Sequence, residues 1–255
     1  MKYREEDFNT LIRKSVYYSQ QEQDTSDDWS LAKKLYEDNY LNCDDITERI
    51  PKKIHQIWLG GKLPERFKKW CDTWQAIHPS WEYKLWTDDD IPNIEITKKE
   101  MFDTSTNNGM KSDILRYEIL NRQGGLYVDT DFECLKPFDD LLYLRFFVGI
   151  SYDPNMQTYC GLIGSEPKGH VIGHCVNDLS GVYTGNNGDK IMDATGPYHI
   201  TRCLMAGARE KPDGVVAFPM DFFYPFPGDQ RFTDKAYTYL RPVSYAIHHW
   251  KTSWL

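Results

Sequence analysis

The strongest constraint on the fold is an alternation of short apolar runs with amphipathic segments that begins at Pro51. "KKIHQIWLGG" is an apolar run closed by two glycines, the pattern of a buried strand and its exit turn. In "PERFKKWCDTWQAIHP", Phe67, Trp70, Trp74 and Ile77 recur every three or four residues, which predicts an amphipathic helix stopped by Pro79. "WEYKLWTDDD" alternates and predicts a second strand. Strand, helix, strand in that order is the unit that places parallel neighbours in an α/β sheet. A further helix over "MKSDILRYEILNRQ", capped at Ser112 and stopped at Gly124 and Gly125, leads into the strand "GLYVDTDF". Downstream, "FFVGISYD" and "GLIGSE" read as strands, and "HVIGHCVNDLSGVY" and "PYHITRCLMAG" as helices.

Residues 1–50 have a different character. They are polar and charged, with Leu31, Leu35 and Tyr36 at helical spacing in "DWSLAKKLYEDNYL". No Gly/Pro/Ser-rich linker follows, so the sequence predicts a helical appendage (1–50) packed on a main α/β domain (51–255). The chain's 40% hydrophobic content supports a packed core, and its net charge of -8 argues against a general nucleic-acid binder, which would carry a basic face. Six scattered cysteines without a CxxC pair argue against a zinc ribbon or a disulfide framework and suit reduced thiols in the cytoplasm. "MKYREEDFNTLIRKS" contains no apolar stretch, so no secretory signal or anchor is read there. No run approaches the roughly 18 apolar residues of a membrane span, which leaves peripheral association at the inner membrane face open.

Two aspartates, Asp129 and Asp131, interrupt the apolar strand "GGLYVDTDFECLKPF". Residues two apart on a strand share a face, with Cα atoms about 6.6 Å apart. The plainest reading is a strand that ends in water. A carboxylate pair can also hold a hard divalent cation. A glycosidase acid and nucleophile would more usually come from separate elements flanking the bond. The position favours a ligand, because open α/β sheets bind at the carboxyl ends of their strands. Upstream, Asp113 and Arg116 are three apart in "SDILRYEIL" and share a helix face; alone they could be an ordinary surface ion pair.

Other candidates read more plainly. His55, between Ile54 and Ile57, reads as a hydrogen-bonded core histidine. His170 and His174 have the spacing of a helical metal pair, but "KGHVIGH" lacks the glutamate of an HExxH motif, so a zinc role is not expected. The C-terminal "HHWKTSWL" carries two tryptophans, whose apolar area favours docking over fraying.

Together, "SDILRYEILNRQGGLYVDTDF" resembles the signature of the glycosyltransferases with a DXD sugar-binding region (glycosyltransferase family 32), with the glucosylating domains of large clostridial toxins as more distant relatives. "IPKKIHQIWLGG", "HPSWEYKLWTDDD", "ATGPYHIT" and "HHWKTSW" agree, so the resemblance spans about residues 50–255. It implies a GT-A fold, a Rossmann-like mixed sheet flanked by helices. It implies transfer of a hexose, with retention, from a nucleotide-sugar donor, with a UDP-sugar favoured and GDP-mannose as an alternative. The acceptor it implies is a glycan, in surface or capsular polysaccharide assembly. It also implies a divalent cation, Mn²⁺ or Mg²⁺. By motif position, Asp131 and His249 would bind that metal. Asp129 would contact the donor and organise the metal, Asp113 and Arg116 would hydrogen-bond the donor sugar, and Trp58 would stack on the base. Ser253 and Trp254 would close over the diphosphate, and Thr195, Gly196 and Pro197 would lie on the acceptor side. Relatives often carry asparagine where Cys160 stands, which puts a polar role there in doubt and leaves Tyr159 or Asn155 as substitutes. A toxin-like enzyme acting on a protein acceptor, and a non-catalytic nucleotide-sugar or glycan binder, are the competing readings.

Overall fold

The computed structural model describes residues 6–14, 26–151, 156–180 and 188–251. Helices α1 (Phe8–Lys14) and α2 (Asp27–Tyr36) come first, the second capped by Ser26, and a π-helical turn covers Glu37–Leu41. Strand β1 (Lys53–Ile57), helix α3 (Glu65–Ile77) and strand β2 (Glu82–Trp86) form the expected opening unit. Helices α4 (Lys99–Thr104) and α5 (Asn108–Gln123) lead into strands β3 (Gly125–Val128), β4 (Phe132–Cys134), β5 (Phe146–Ile150) and β6 (Thr158–Ser165). Helices α6 (His170–Asn177), α7 (Gly188–Ala194) and α8 (Pro197–Glu210) follow, then strands β7 (Val215–Phe218) and β8 (Ala246–His248).

Six strands form one mixed sheet in the order β2-β1-β3-β6-β5-β7. β1 runs parallel to both β2 and β3, whereas β6 is antiparallel to β3 and β5, and β7 is parallel to β5. β4 and β8 make a separate antiparallel pair. This is the mixed α/β sheet flanked by helices that the resemblance implies. β3 lies inside the sheet and every one of its residues is buried. Its first residue, Gly125, has φ +100°, and a Cβ there would stand 2.7 Å from the Lys53 carbonyl oxygen, so only glycine lets β3 enter beside β1.

Two local expectations shift. α5 starts at Asn108, four residues before Ser112, and its cap is Asn107, whose side chain accepts the Met110 N–H at 3.0 Å. β3 ends at Val128, so Asp129 and Asp131 lie in the turn between β3 and β4 rather than on a strand. The Phe132 N–H closes that turn on the Asp129 carbonyl.

Described residues before Pro51, among them Phe8, Leu35, Tyr36 and Tyr40, share the core of the sheet. Tyr36 meets Phe218 and Phe222 edge-on at ring separations of 6.0 and 6.2 Å, and Tyr40 meets Phe218 at 4.9 Å. Aromatic edges against faces add to the apolar burial that holds α2 on β7. All six cysteines are free thiols. Among the described residues, no helix is long and apolar enough to cross a membrane.

Candidate active site

A cleft of about 260 Å³ opens at the carboxyl ends of β1 and β3, where open α/β sheets place their ligands. Its walls include Trp58, Asp113, Arg116, Asp129, Asp131, Gly196, Pro197 and His248. Trp58 follows β1 directly; it is half-buried at the cleft wall and leans on Phe67 at a ring separation of 5.0 Å. Asp88 accepts the N–H groups of Gly60 and Gly61, which ties down the turn after Trp58.

One helical turn of α5 carries the first charged group of the site. Asp113 and Arg116 are only 6% and 4% exposed, so they are not a surface pair. Arg116 Nη2 lies 3.0 Å from Asp113 Oδ1 and 3.3 Å from Asp129 Oδ1. Its Nη1 donates to the Cys160 carbonyl at 2.7 Å, its Nε donates to the Ser112 carbonyl, and the guanidinium lies 4.4 Å from the Tyr127 ring centre. A guanidinium so enclosed must have its charge matched, and the two carboxylates do this.

Asp113 also accepts the Thr195 hydroxyl at 2.8 Å. Tyr127 O–H donates to Asp129 Oδ1 at 2.6 Å, and the Asp129 N–H donates to the Gly161 carbonyl. Burial pushes both carboxyls upward, and the Arg116 charge opposes it. Asp129 keeps 31% of its side chain exposed to the cleft, so water there limits the shift.

Asp131 forms the second group. Its Oδ1 lies 3.0 Å from His248 Nε2, and its Oδ2 accepts the Lys251 N–H at 2.8 Å. The pairing of β4 with β8 sets Phe132 opposite His248. Successive side chains on a strand point to opposite sides, so His249 faces away. Its Nε2 bonds Glu133 at 2.9 Å and its ring stacks on Trp70 at 4.4 Å. Motif register alone favours His249 over His248 as the partner of Asp131; here the His248 ring faces Asp131, and His249 meets Asp131 through its backbone N–H, at 3.0 Å. Burial alone would raise Glu133, but the bonds from His249 and Tyr237 outweigh it and hold that carboxyl below its usual range.

Asp129, Asp131 and His248 each present a ligand atom, all within 4.8 Å of one another. Two carboxylates with one imidazole fit a divalent cation that accepts hard oxygen and tolerates nitrogen.

Of the expected site residues, Trp58, Asp113, Arg116, Asp129, Asp131, Gly196 and Pro197 meet at the cleft, and Thr195 lies behind it on Asp113. Ser253, Trp254 and Asn155 lie outside the described residues. Cys160 holds Arg116 through its carbonyl and sets its thiol 3.7 Å from Asp113, and Tyr159 is on the cleft wall. Tyr127, which the apolar run around it makes core-like in the sequence, adds a bond to Asp129 that the expected site did not include. Its period-two spacing from Asp129 was the available signal.

A mixed α/β sheet with an Asp-X-Asp turn at its central cleft is the architecture of a GT-A-type glycosyltransferase domain. Residues 64–146 match the family described as the glycosyltransferase sugar-binding region containing DXD motif, and that stretch holds Asp113, Arg116, Asp129 and Asp131. Inositol phosphoceramide mannosyltransferase 1 of Schizosaccharomyces pombe is 35% identical over 140 residues, covering 52% of this chain and 44% of its own. An uncharacterized glycosyltransferase of Acanthamoeba polyphaga mimivirus is 27% identical over 214 residues, 80% of this chain and 84% of its own. The chain thus spans less than half the length of the yeast relative. Among solved structures, PaToxG glycosyltransferase superposes with TM-score 0.50 at 18% identity, over 72% of this chain and 79% of its own, a likeness of fold.

Proposed function

We propose that the chain is a metal-dependent, retaining glycosyltransferase that moves a hexose from a nucleotide-sugar donor to a glycan acceptor. The observation that carries this reading is the meeting of Asp129, Asp131 and His248 beside the Asp113–Arg116 pair in one cleft. Asp131, His248 and Asp129 would hold the cation. A divalent cation there would supply Lewis-acid neutralisation of the leaving diphosphate. Arg116 fixes a positive charge beside Asp129 and so orients that carboxylate towards donor and metal. Asp113, held by Arg116 and Thr195, faces the sugar. Trp58 offers an aromatic face for the base. Each carboxylate of the cleft is engaged by a neighbouring side chain, which supports a same-face substitution that needs no enzyme nucleophile.

For the donor, the sequence resemblance favours a UDP-sugar with GDP-mannose as the alternative, and the yeast relative's name, a mannosyltransferase, supports testing mannose. That name also puts an inositol-phosphoceramide-type lipid beside polysaccharide as an acceptor to test. We place the enzyme in the cytoplasm, which suits its free thiols, with peripheral contact to membrane-bound acceptors. The deciding experiment measures nucleotide release from UDP-glucose, UDP-galactose, UDP-N-acetylglucosamine and GDP-mannose, with Mn²⁺, Mg²⁺ or chelator. One donor should stand out, and release should need metal and fall to background in Asp131→Asn. Equal release by Asp131→Asn would sink the proposal. Tight donor binding without release, with glycan, lipid and protein acceptors all supplied, would make the chain a binding protein.

A further inference from the structure

A second group of metal-ligating side chains meets on α6 and α8, away from the cleft. His170 and His174 stand one turn apart at the start of α6, and Glu210 is the last residue of α8. His170 Nε2 lies 2.6 Å from Glu210 Oε2, and His174 Nε2 lies 3.6 Å from the same oxygen. The three ligand atoms lie within 4.8 Å of one another. Behind them, His174 Nδ1 donates to Asp178 Oδ2 at 2.8 Å. With an ion on Nε2, that bond keeps the ring proton on Nδ1, the arrangement in which a carboxylate orients a metal-binding histidine. The sequence set zinc aside because no glutamate follows His170 locally; the fold brings one from another helix.

We propose that His170, His174 and Glu210 form a second metal site, selective for a transition ion such as Zn²⁺, that ties α6 to α8. Two imidazoles and one carboxylate suit zinc and disfavour Mg²⁺ and Ca²⁺, which prefer oxygen. Three protein ligands leave a fourth position for water, and side-chain exposures of 31%, 23% and 57% give an ion access from solvent. The site sits at the far end of α8 from Pro197. The 14 residues of that helix put it about 20 Å from the cleft wall at 1.5 Å per residue, so its role is structural. It holds the helix whose other end lines the cleft.

The test uses the full chain stripped with chelator and titrated with Zn²⁺ by equilibrium dialysis, and with Co²⁺ for its visible absorption. Asp131→Asn removes the cleft's contribution. In that background one equivalent of Zn²⁺ should remain, with a Co²⁺ band and a raised melting temperature. Adding His170→Asn and His174→Asn should abolish all three. Asp178→Asn should weaken binding about 10- to 100-fold, and Glu210→Gln should weaken it at least as much without touching α6. None of these readouts depends on transfer activity, so they stand or fall apart from the proposed function. Loss of all zinc in Asp131→Asn alone, or zinc binding unchanged by the histidine changes, would show the cluster to be an ordinary ion-pair network and overturn the proposal.

Discussion

Arg116 reaches Asp129 at 3.3 Å while pairing with Asp113 at 3.0 Å, so a single buried guanidinium links the helix before the Asp-X-Asp turn to the turn itself. Removing it leaves the buried Asp113 without a counter-charge and Asp129, at the cleft, without its ion pair. Breaking one side of a buried pair costs about 3–5 kcal/mol, so Arg116→Ala should lose stability on that scale as well as activity. Arg116→Lys keeps the charge but loses the fork that reaches the Cys160 carbonyl and both carboxylates together. It should recover most of the stability and little of the activity. Urea unfolding beside nucleotide release separates the two effects; a fully stable Arg116→Ala would contradict the buried-pair account.

The two C-terminal histidines should differ in what they do to metal dependence. His248 faces Asp131, and His249 stacks on Trp70 with its ring nitrogen on Glu133. His248→Ala should raise the Mn²⁺ concentration for half-maximal activity at least about tenfold, the scale on which even outer partners of a metal site act. His249→Ala should lower stability through the lost stack while leaving the Mn²⁺ requirement close to that of the unaltered chain. A metal titration in which His249→Ala is the more impaired would reverse the assignment.

This pair of histidines marks where sequence reading stops. The strand–helix–strand order was legible because periodicity is local, and so was the shared face of Asp113 and Arg116, three residues apart on α5. The burial of that pair was not, since it depends on the Cys160 carbonyl from β6 and Asp129 from the turn after β3. The choice between His248 and His249 depends on the register of β8 against β4, which a one-residue slip inverts. Nothing in a single chain's pattern carries that register. Tyr127 stands two residues before Asp129 in the sequence, hidden by its apolar surroundings.

Trp58 gives a direct test of donor binding. Stacking of a base on an aromatic face is worth about 1–3 kcal/mol, and Trp58 lies half-buried at the cleft wall. Trp58→Ala should raise the donor KM about 5- to 150-fold on that scale, with a much smaller effect on kcat. A fall in kcat with KM unchanged would place the base elsewhere.

Gly161 is required for space rather than for backbone conformation. A Cβ there would lie 2.8 Å from Asp129 Oδ2 and 3.1 Å from Phe132 Cε2. Gly161→Ala should therefore push the carboxylate away from Tyr127 and Arg116, lowering nucleotide release about tenfold or more while overpacking costs about 1–3 kcal/mol. Gly173→Ala, in α6 with nothing within 4 Å of its added methyl, is the control and should be neutral or slightly stabilising. Equal activity of the two variants would show that Asp129 does not depend on its close seat against β6.

His55 sets a pH limit on the fold. It is buried, accepts the Trp86 indole N–H at Nδ1 and donates from Nε2 to the Gly124 carbonyl, so both nitrogens are satisfied only in the neutral ring. Burial pushes its pKa down to about 4 from the usual 6.5. Above pH 6.5 the ring is neutral in the folded and unfolded chain alike and contributes no pH dependence. Between about 6.5 and 4 the unfolded chain takes up a proton that the folded chain does not, so stability falls with falling pH. The slope approaches about 1.4 kcal/mol per pH unit and the total loss about 3 kcal/mol. His55→Gln can keep one donor and one acceptor but cannot titrate. It should be less stable than the unaltered chain at pH 7 and should close the gap as the pH drops to 5. Urea midpoints at pH 7, 6 and 5 would decide: parallel lines for the two proteins would mean that His55 is charged inside the fold, and that the Trp86 bond does not hold it neutral.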